Sequence, residues 1–227
     1  LGENHMGTIA GGEYVEAAAG NVSYTAIMKN TAQYTSAKEN KVVYQSPSIN
    51  GFKAAVAFAD KGETSKANST AYAAQYTTAI GDGNLTLAFH QETEAHADST
   101  NATADTEAGQ MGVSYSNGMG RIWALQMTQT QTQNGGTKDS DQSGTNFGAM
   151  YNVSDSIKVI YYNITSEEDA GVNKLDTYDS DTIGFRYDIA GGLRVGVLHT
   201  TYDFTDKSTV ANNMDGSASR IEVRMNF

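Results

Sequence analysis

Apolar and polar residues alternate along most of this chain with a period of two. The ending "SRIEVRMNF", residues 219–227, sets Ile221, Val223, Met225 and Phe227 against Arg220, Glu222, Arg224 and Asn226. Successive side chains of a strand point to opposite faces, so such a run is a strand with one apolar and one polar face. Comparable runs span Lys41–Ser46, Gly51–Asp60, Thr70–Ile80, Asn84–Thr93 and Ala108–Ser116. They continue through Arg121–Thr130, Thr145–Val153, Ile157–Thr165, Asp181–Ile189 and Leu193–Phe204. With a last run from about Ser217, the spacing predicts about eleven strands.

The connections alternate between short and long. Short ones read "PSIN", "GDG", "NGMG", "SDS" and "AGG"; long ones such as "EAHADSTNATADTE" and "SEEDAGVNKLDTYDS" are rich in Asp, Glu, Ser, Thr and Asn. In an up-and-down sheet, successive connections fall at opposite ends. One end then carries tight turns and the other long, acidic, hydrated loops, as in a transmembrane β-barrel. The faces agree. Phe52, Ala54, Val56 and Phe58 share one side, as do Ile183, Phe185, Tyr187 and Ile189. The opposite sides read Thr86, Ala88, His90, Glu92, or Thr182, Gly184, Arg186, Asp188. Such polar faces suit a water-filled lumen, and a sheet in lipid must close because open edges are not tolerated there. Tyr44, Tyr115, Tyr151, Phe185, Tyr187 and Phe227 fall near short-turn ends, where an interfacial girdle belongs. A β-sandwich core filled by aromatics is the competing reading, and it leaves the charged faces unexplained.

Composition narrows the field. The formal net charge is -11 and the pI about 4.7, which argues against a nucleic-acid partner. Cysteine is absent, which excludes disulfides and thiolate chemistry. No apolar run is long enough for a transmembrane helix. Gly at 23 against Pro at 1, with 13 Tyr, suits strands over helices.

Certain segments resemble a known family. "NKVVYQSPSINGFKAAVAFAD", residues 40–60, resembles the strand-turn-strand after the constriction loop of trimeric general diffusion porins of Gram-negative bacteria. "IEVRMNF" is similar to the ending of those porins, whose C-terminal Phe is an assembly signal; here that is Phe227. "LGENHMG" resembles the end of their fifth strand entering the third loop. The resemblance implies an all-β, antiparallel barrel of sixteen strands, of which about eleven are visible. Residues 1–227 would be a single porin domain lacking its N-terminal strands, with residues 4–39 as the constriction loop folded into the lumen. It also implies the bacterial cell outer membrane, a homotrimer, and contact with outer-membrane lipid and lipopolysaccharide. Passive diffusion of ions and small hydrophilic solutes would follow. Glu13 and Glu16 are then the loop's acids, and Lys53, Lys158, Arg186, Arg194, Arg220 and Arg224 are candidates for the lumen wall. Net acidity predicts a weak cation preference.

Other chemistry is sparse. His5, His90, His96 and His199 lack zinc-like spacing, and no G-x-S-x-G, P-loop or dinucleotide fingerprint occurs. The chain is read as a non-enzyme. An outer-membrane barrel lipase or protease, and a structural or adhesin barrel, stand as alternatives. Residues 139–150 open like a calcium loop, with Asp139, Asp141 and Gly144, but Met150 holds the position that requires a bidentate Glu. A loop-bound Ca²⁺ would lack its closing ligand, and no other metal or cofactor is expected. Acids of the long loops could hold divalent cations bridging lipopolysaccharide phosphates; plain solvation is the simpler account.

Overall fold

A computed structural model describes residues 41–59, 67–96, 105–132, 138–169, 175–189, 192–205 and 213–225. Within them the strands are β1 (Lys41–Gln45), β2 (Phe52–Ala59), β3 (Ala67–Ile80), β4 (Gly83–His96), β5 (Asp105–Asn117) and β6 (Gly120–Thr132). The rest are β7 (Lys138–Asn152), β8 (Ile157–Asp169), β9 (Leu175–Ile189), β10 (Leu193–Thr205) and β11 (Met214–Met225). All eleven form one sheet in chain order, with antiparallel neighbours throughout. Among the described residues, β1 and β11 are its two edges. The expected constriction loop 4–39, with Glu13 and Glu16, and the terminal Phe227 lie outside the described residues.

The short connections are built as their residues demand. Between β1 and β2, Asn50 (φ 50°) and Gly51 (φ 84°) both take left-handed conformations. The backbones of Ile49 and Phe52 exchange two hydrogen bonds of 2.9 Å around them. An Asn-Gly pair at such a turn matches the twist of the flanking strands. A Cβ on Gly51 would meet the Thr77 carbonyl. Between β3 and β4, the Asp82 carboxylate accepts from Tyr115 Oη at 2.9 Å and Asn117 Nδ2 at 3.3 Å. These bonds, Tyr115 first, hold Asp82 below the usual carboxylate range.

At the loop side the strands run further than the hydropathy alternation indicates. β7 begins at Lys138 rather than Thr145, and β9 at Leu175 rather than Asp181. Both faces are polar there, so the pattern fades while backbone pairing continues. Asp179, Asp203 and Asp215 stand opposite one another across β9, β10 and β11. Many acids expected on loops therefore sit on strands. The stretch 139–150 is likewise extended strand within β7.

On the longer strands the outward face divides about halfway up. On β10, Leu193, Val195 and Val197 give way to His199, Thr201 and Asp203; on β9, Tyr187, Phe185 and Ile183 give way to Asp181 and Asp179. The apolar members are open, Ile221 at 73% and Ile183 at 58% exposure. Tyr76, Tyr115, Tyr151 and Tyr187 mark the turn-side rim. At the upper rim, Tyr161 Oη donates to Asp181 Oδ1 at 2.5 Å, its ring apolar below and its hydroxyl among polar groups above. An apolar band bordered by aromatic side chains is the pattern of the outer surface of a membrane-spanning barrel.

Candidate functional site

The inward face is zoned along the strand direction. On β8 the same side presents Lys158, then Ile160, Tyr162 and Ile164, then Ser166 and Glu168. Lys158 and Glu168 are roughly 33 Å apart along an extended strand. Positive charge lies at the turn side, apolar surface in the middle and carboxylate at the loop side.

The turn-side zone assembles because the register sets Lys158 opposite Arg186, Arg194 opposite Asp188, and Arg194 opposite Arg224. Asp188 Oδ1 accepts from Arg186 Nε at 2.8 Å and Arg194 Nε at 3.0 Å. Lys158 Nζ lies 3.8 Å from its other oxygen. Glu222 pairs with Arg220 Nη2 at 2.9 Å and Arg224 Nη2 at 3.0 Å. Five of the six expected wall cations are thus brought together around two carboxylates. Lys53 shares the face but stands apart on β2, opposite Gln75. Sequence reading omitted Arg121, which lies on the same face with its guanidinium 6.0 Å from the Trp123 ring centre. Parity with Trp123 was the signal available for it. All five arginines of the chain therefore share the inward face, four at the turn side and Arg220 at the level of Leu198.

The middle zone corrects the expectation of a uniformly polar inner face. Trp123, Leu125, Ile160, Tyr162, Ile164, Tyr178 and Leu198 form one buried apolar cluster on the inward side. Tyr162 keeps 2% of its surface and Thr182 beside it 1%. Two glycines make room. A Cβ on Gly148 would strike the Trp123 ring and Tyr162, and one on Gly184 would strike Leu198 and Ile160. Polar groups here bond laterally: Trp123 Nε1 donates to Asn146 Oδ1 at 2.6 Å, and the Thr182 and Thr200 hydroxyls are 2.8 Å apart. Apolar residues on both faces of β8 had obscured this in the sequence.

At the loop side, Glu92 and Glu94 on β4 and Glu168 on β8 are buried on the inward face. Gln142 Nε2 donates to Glu168 Oε1 at 2.9 Å. Asp176 stands across from Glu168 on β9. Among the histidines, His199 Nδ1 lies 2.9 Å from Ser219 Oγ, on the exposed outward wall at the upper border of the apolar band.

A family model described as Gram-negative porin matches residues 3–214. Among solved structures, an anion-selective porin from Comamonas acidovorans superposes with TM-score 0.62 at 16% identity, over 82% of this chain and 57% of that one. A loop-deletion mutant of OmpT, an outer membrane protein of Vibrio cholerae, gives 0.58 at 15%, over 81% and 60%. The in-vitro folded trimer form of OmpT gives 0.56 at 13%, over 81% and 64%. The chain thus spans less than two thirds of the length of these structures, and the likeness is one of fold. No curated protein matches the chain.

Proposed function

Because the chain belongs to the Gram-negative porin family, and so to the proteins of the bacterial outer membrane, we propose that it forms a water-filled channel for passive diffusion of ions and small hydrophilic solutes. The observation that carries this reading is the division of single strands between two solvents. On β9, Phe185 and Tyr187 face outward while Arg186 and Asp188 face inward and join a cluster of five cations and two carboxylates. Charges so dense need water or counter-ions, and the opposite face needs lipid. In a lumen comparable in width to the Debye length of about 10 Å at 0.1 M salt, such charges act on passing ions with little screening. No bond is made or broken on this route.

In the same proposal residues 4–39 form the constriction loop, with Glu13 and Glu16 opposing the basic wall. Phe227 serves barrel assembly, and three copies associate, as in the trimer form of one solved relative. Lipid covers the apolar band, with lipopolysaccharide at the level of Asp179, Asp203 and Asp215. Planar bilayers test the central part: stepwise ionic conductance on insertion is expected, and persistent absence of steps with folded protein would refute it. Comparing heated and unheated samples by gel electrophoresis tests the trimer.

A second reading, a barrel hydrolase acting at the lipid border, has one observation behind it, the 2.9 Å His199–Ser219 pair. Lipid ester or peptide hydrolysis abolished by Ser219→Ala would favour it over the channel.

A further inference from the structure

The inward wall carries opposite charge at its two ends, and we infer that the channel rectifies, passing more current when the loop side is positive. This rests on the channel reading above. Arg121, Arg186, Arg194 and Arg224 lie at the turn side with Lys158, where Asp188 and Glu222 are the inward-facing carboxylates of the described strands. At the loop side the inward charges of β4, β8 and β9 are Glu92, Glu94, Glu168 and Asp176. β8 and β9 each carry both signs, Lys158 with Glu168 and Arg186 with Asp176. Asp179, Asp181, Asp203 and Asp215 contribute little to this path, since they face outward. The net charge of -11 therefore does not describe the lumen.

The two ends are far enough apart to act separately. A strand separation of roughly 33 Å becomes roughly 23 Å along the axis at a tilt near 45°. That exceeds two Debye lengths at 0.1 M salt, each about 10 Å. The carboxylate end then concentrates cations and the arginine end concentrates anions. With the loop side positive, each ion enters through the end that enriches it, and the lumen fills with carriers. With the polarity reversed, each must enter through the end that repels it, and the lumen is depleted. The apolar middle zone keeps the two fields from meeting on a shared ion-pair network.

Single-channel currents of the reconstituted protein at both polarities, in 0.1 M and 1 M KCl, test this. Orientation is assigned from the side on which a bulky maleimide blocks a Ser154→Cys channel. The expected current ratio at 0.1 M is at least about 1.5, larger with the loop side positive. It falls towards unity at 1 M, where the Debye length is about 3 Å. The combined Arg186→Gln, Arg194→Gln, Arg224→Gln variant should conduct with a clearly smaller asymmetry of the same sign. Symmetric currents at 0.1 M, asymmetry of opposite sign, or asymmetry indifferent to salt would overturn the inference while leaving the channel intact. Absence of any conductance would instead remove the reading beneath it.

Discussion

Trp123 Nε1 donates to Asn146 Oδ1 at 2.6 Å, tying β6 to β7 within a buried part of the inner wall. The bond satisfies an indole N–H that keeps its ring among Leu125, Ile160 and Tyr162. Asn146→Leu leaves that donor without its acceptor. A buried unsatisfied group costs about 1–3 kcal/mol, so the denaturation midpoint in detergent should fall correspondingly, while Asn146→Gln should lose less.

Gly148→Ala tests the same wall from the other side. The added methyl collides with Trp123 and Tyr162, and overpacking of this kind costs about 1–3 kcal/mol. Trp123 is the single tryptophan of the chain, so a shift in its emission maximum reports the displacement directly. An unshifted spectrum with unchanged stability would contradict the described packing.

The eleven strands and their connectivity were legible in the sequence, because the apolar band and the tight turns impose period two and Asn-Gly or Gly-Asp signals locally. The outward halves of β9 and β10 were read correctly for that reason. What escaped was whatever alternation does not encode. The loop-side halves of β7 and β9 are polar on both faces, and their order comes from pairing with neighbouring strands. The apolar inner cluster needed register to become visible: Trp123, Ile160 and Leu198 are far apart in sequence and meet only when β6 to β10 align. The basic cluster was half legible. Its members were named from strand parity, but Asp188 as the shared acceptor of Arg186 and Arg194 follows only from the β9–β10 register.

The outward boundary between band and polar surface predicts a contrast between two substitutions. Phe185→Arg puts a cation in the middle of the apolar band, where about 2–4 kcal/mol is lost. Asp203→Arg, flanked across the sheet by Asp179 and Asp215, replaces a like-charged neighbour with an opposite one and should be neutral or stabilising. Denaturant titration of folding into lipid vesicles distinguishes the two.

The turn between β3 and β4 predicts a pH dependence. Hydrogen bonds from Tyr115 and then Asn117 lower the Asp82 pKa from its ordinary value of 3.8. The folded state binds the proton less readily than the unfolded state, so the contribution is fully present above the unfolded value. It is lost as pH falls through the lower folded value. Thermal midpoints of the wild type and Asp82→Asn should therefore differ at neutral pH and converge in acid below the ordinary carboxylate range. A difference that persists or grows there would contradict the assignment.

Accessibility of adjacent residues on one strand tests the two-solvent division most directly. The chain has no cysteine, so Phe185→Cys, Arg186→Cys, Arg194→Cys and Val195→Cys each present one thiol. In lipid vesicles, a charged, membrane-impermeant thiol reagent should modify the cysteines at 186 and 194 rapidly and spare those at 185 and 195. Equal modification of all four, or modification of 185 and 195 alone, would mean that water and lipid do not meet opposite faces of this sheet.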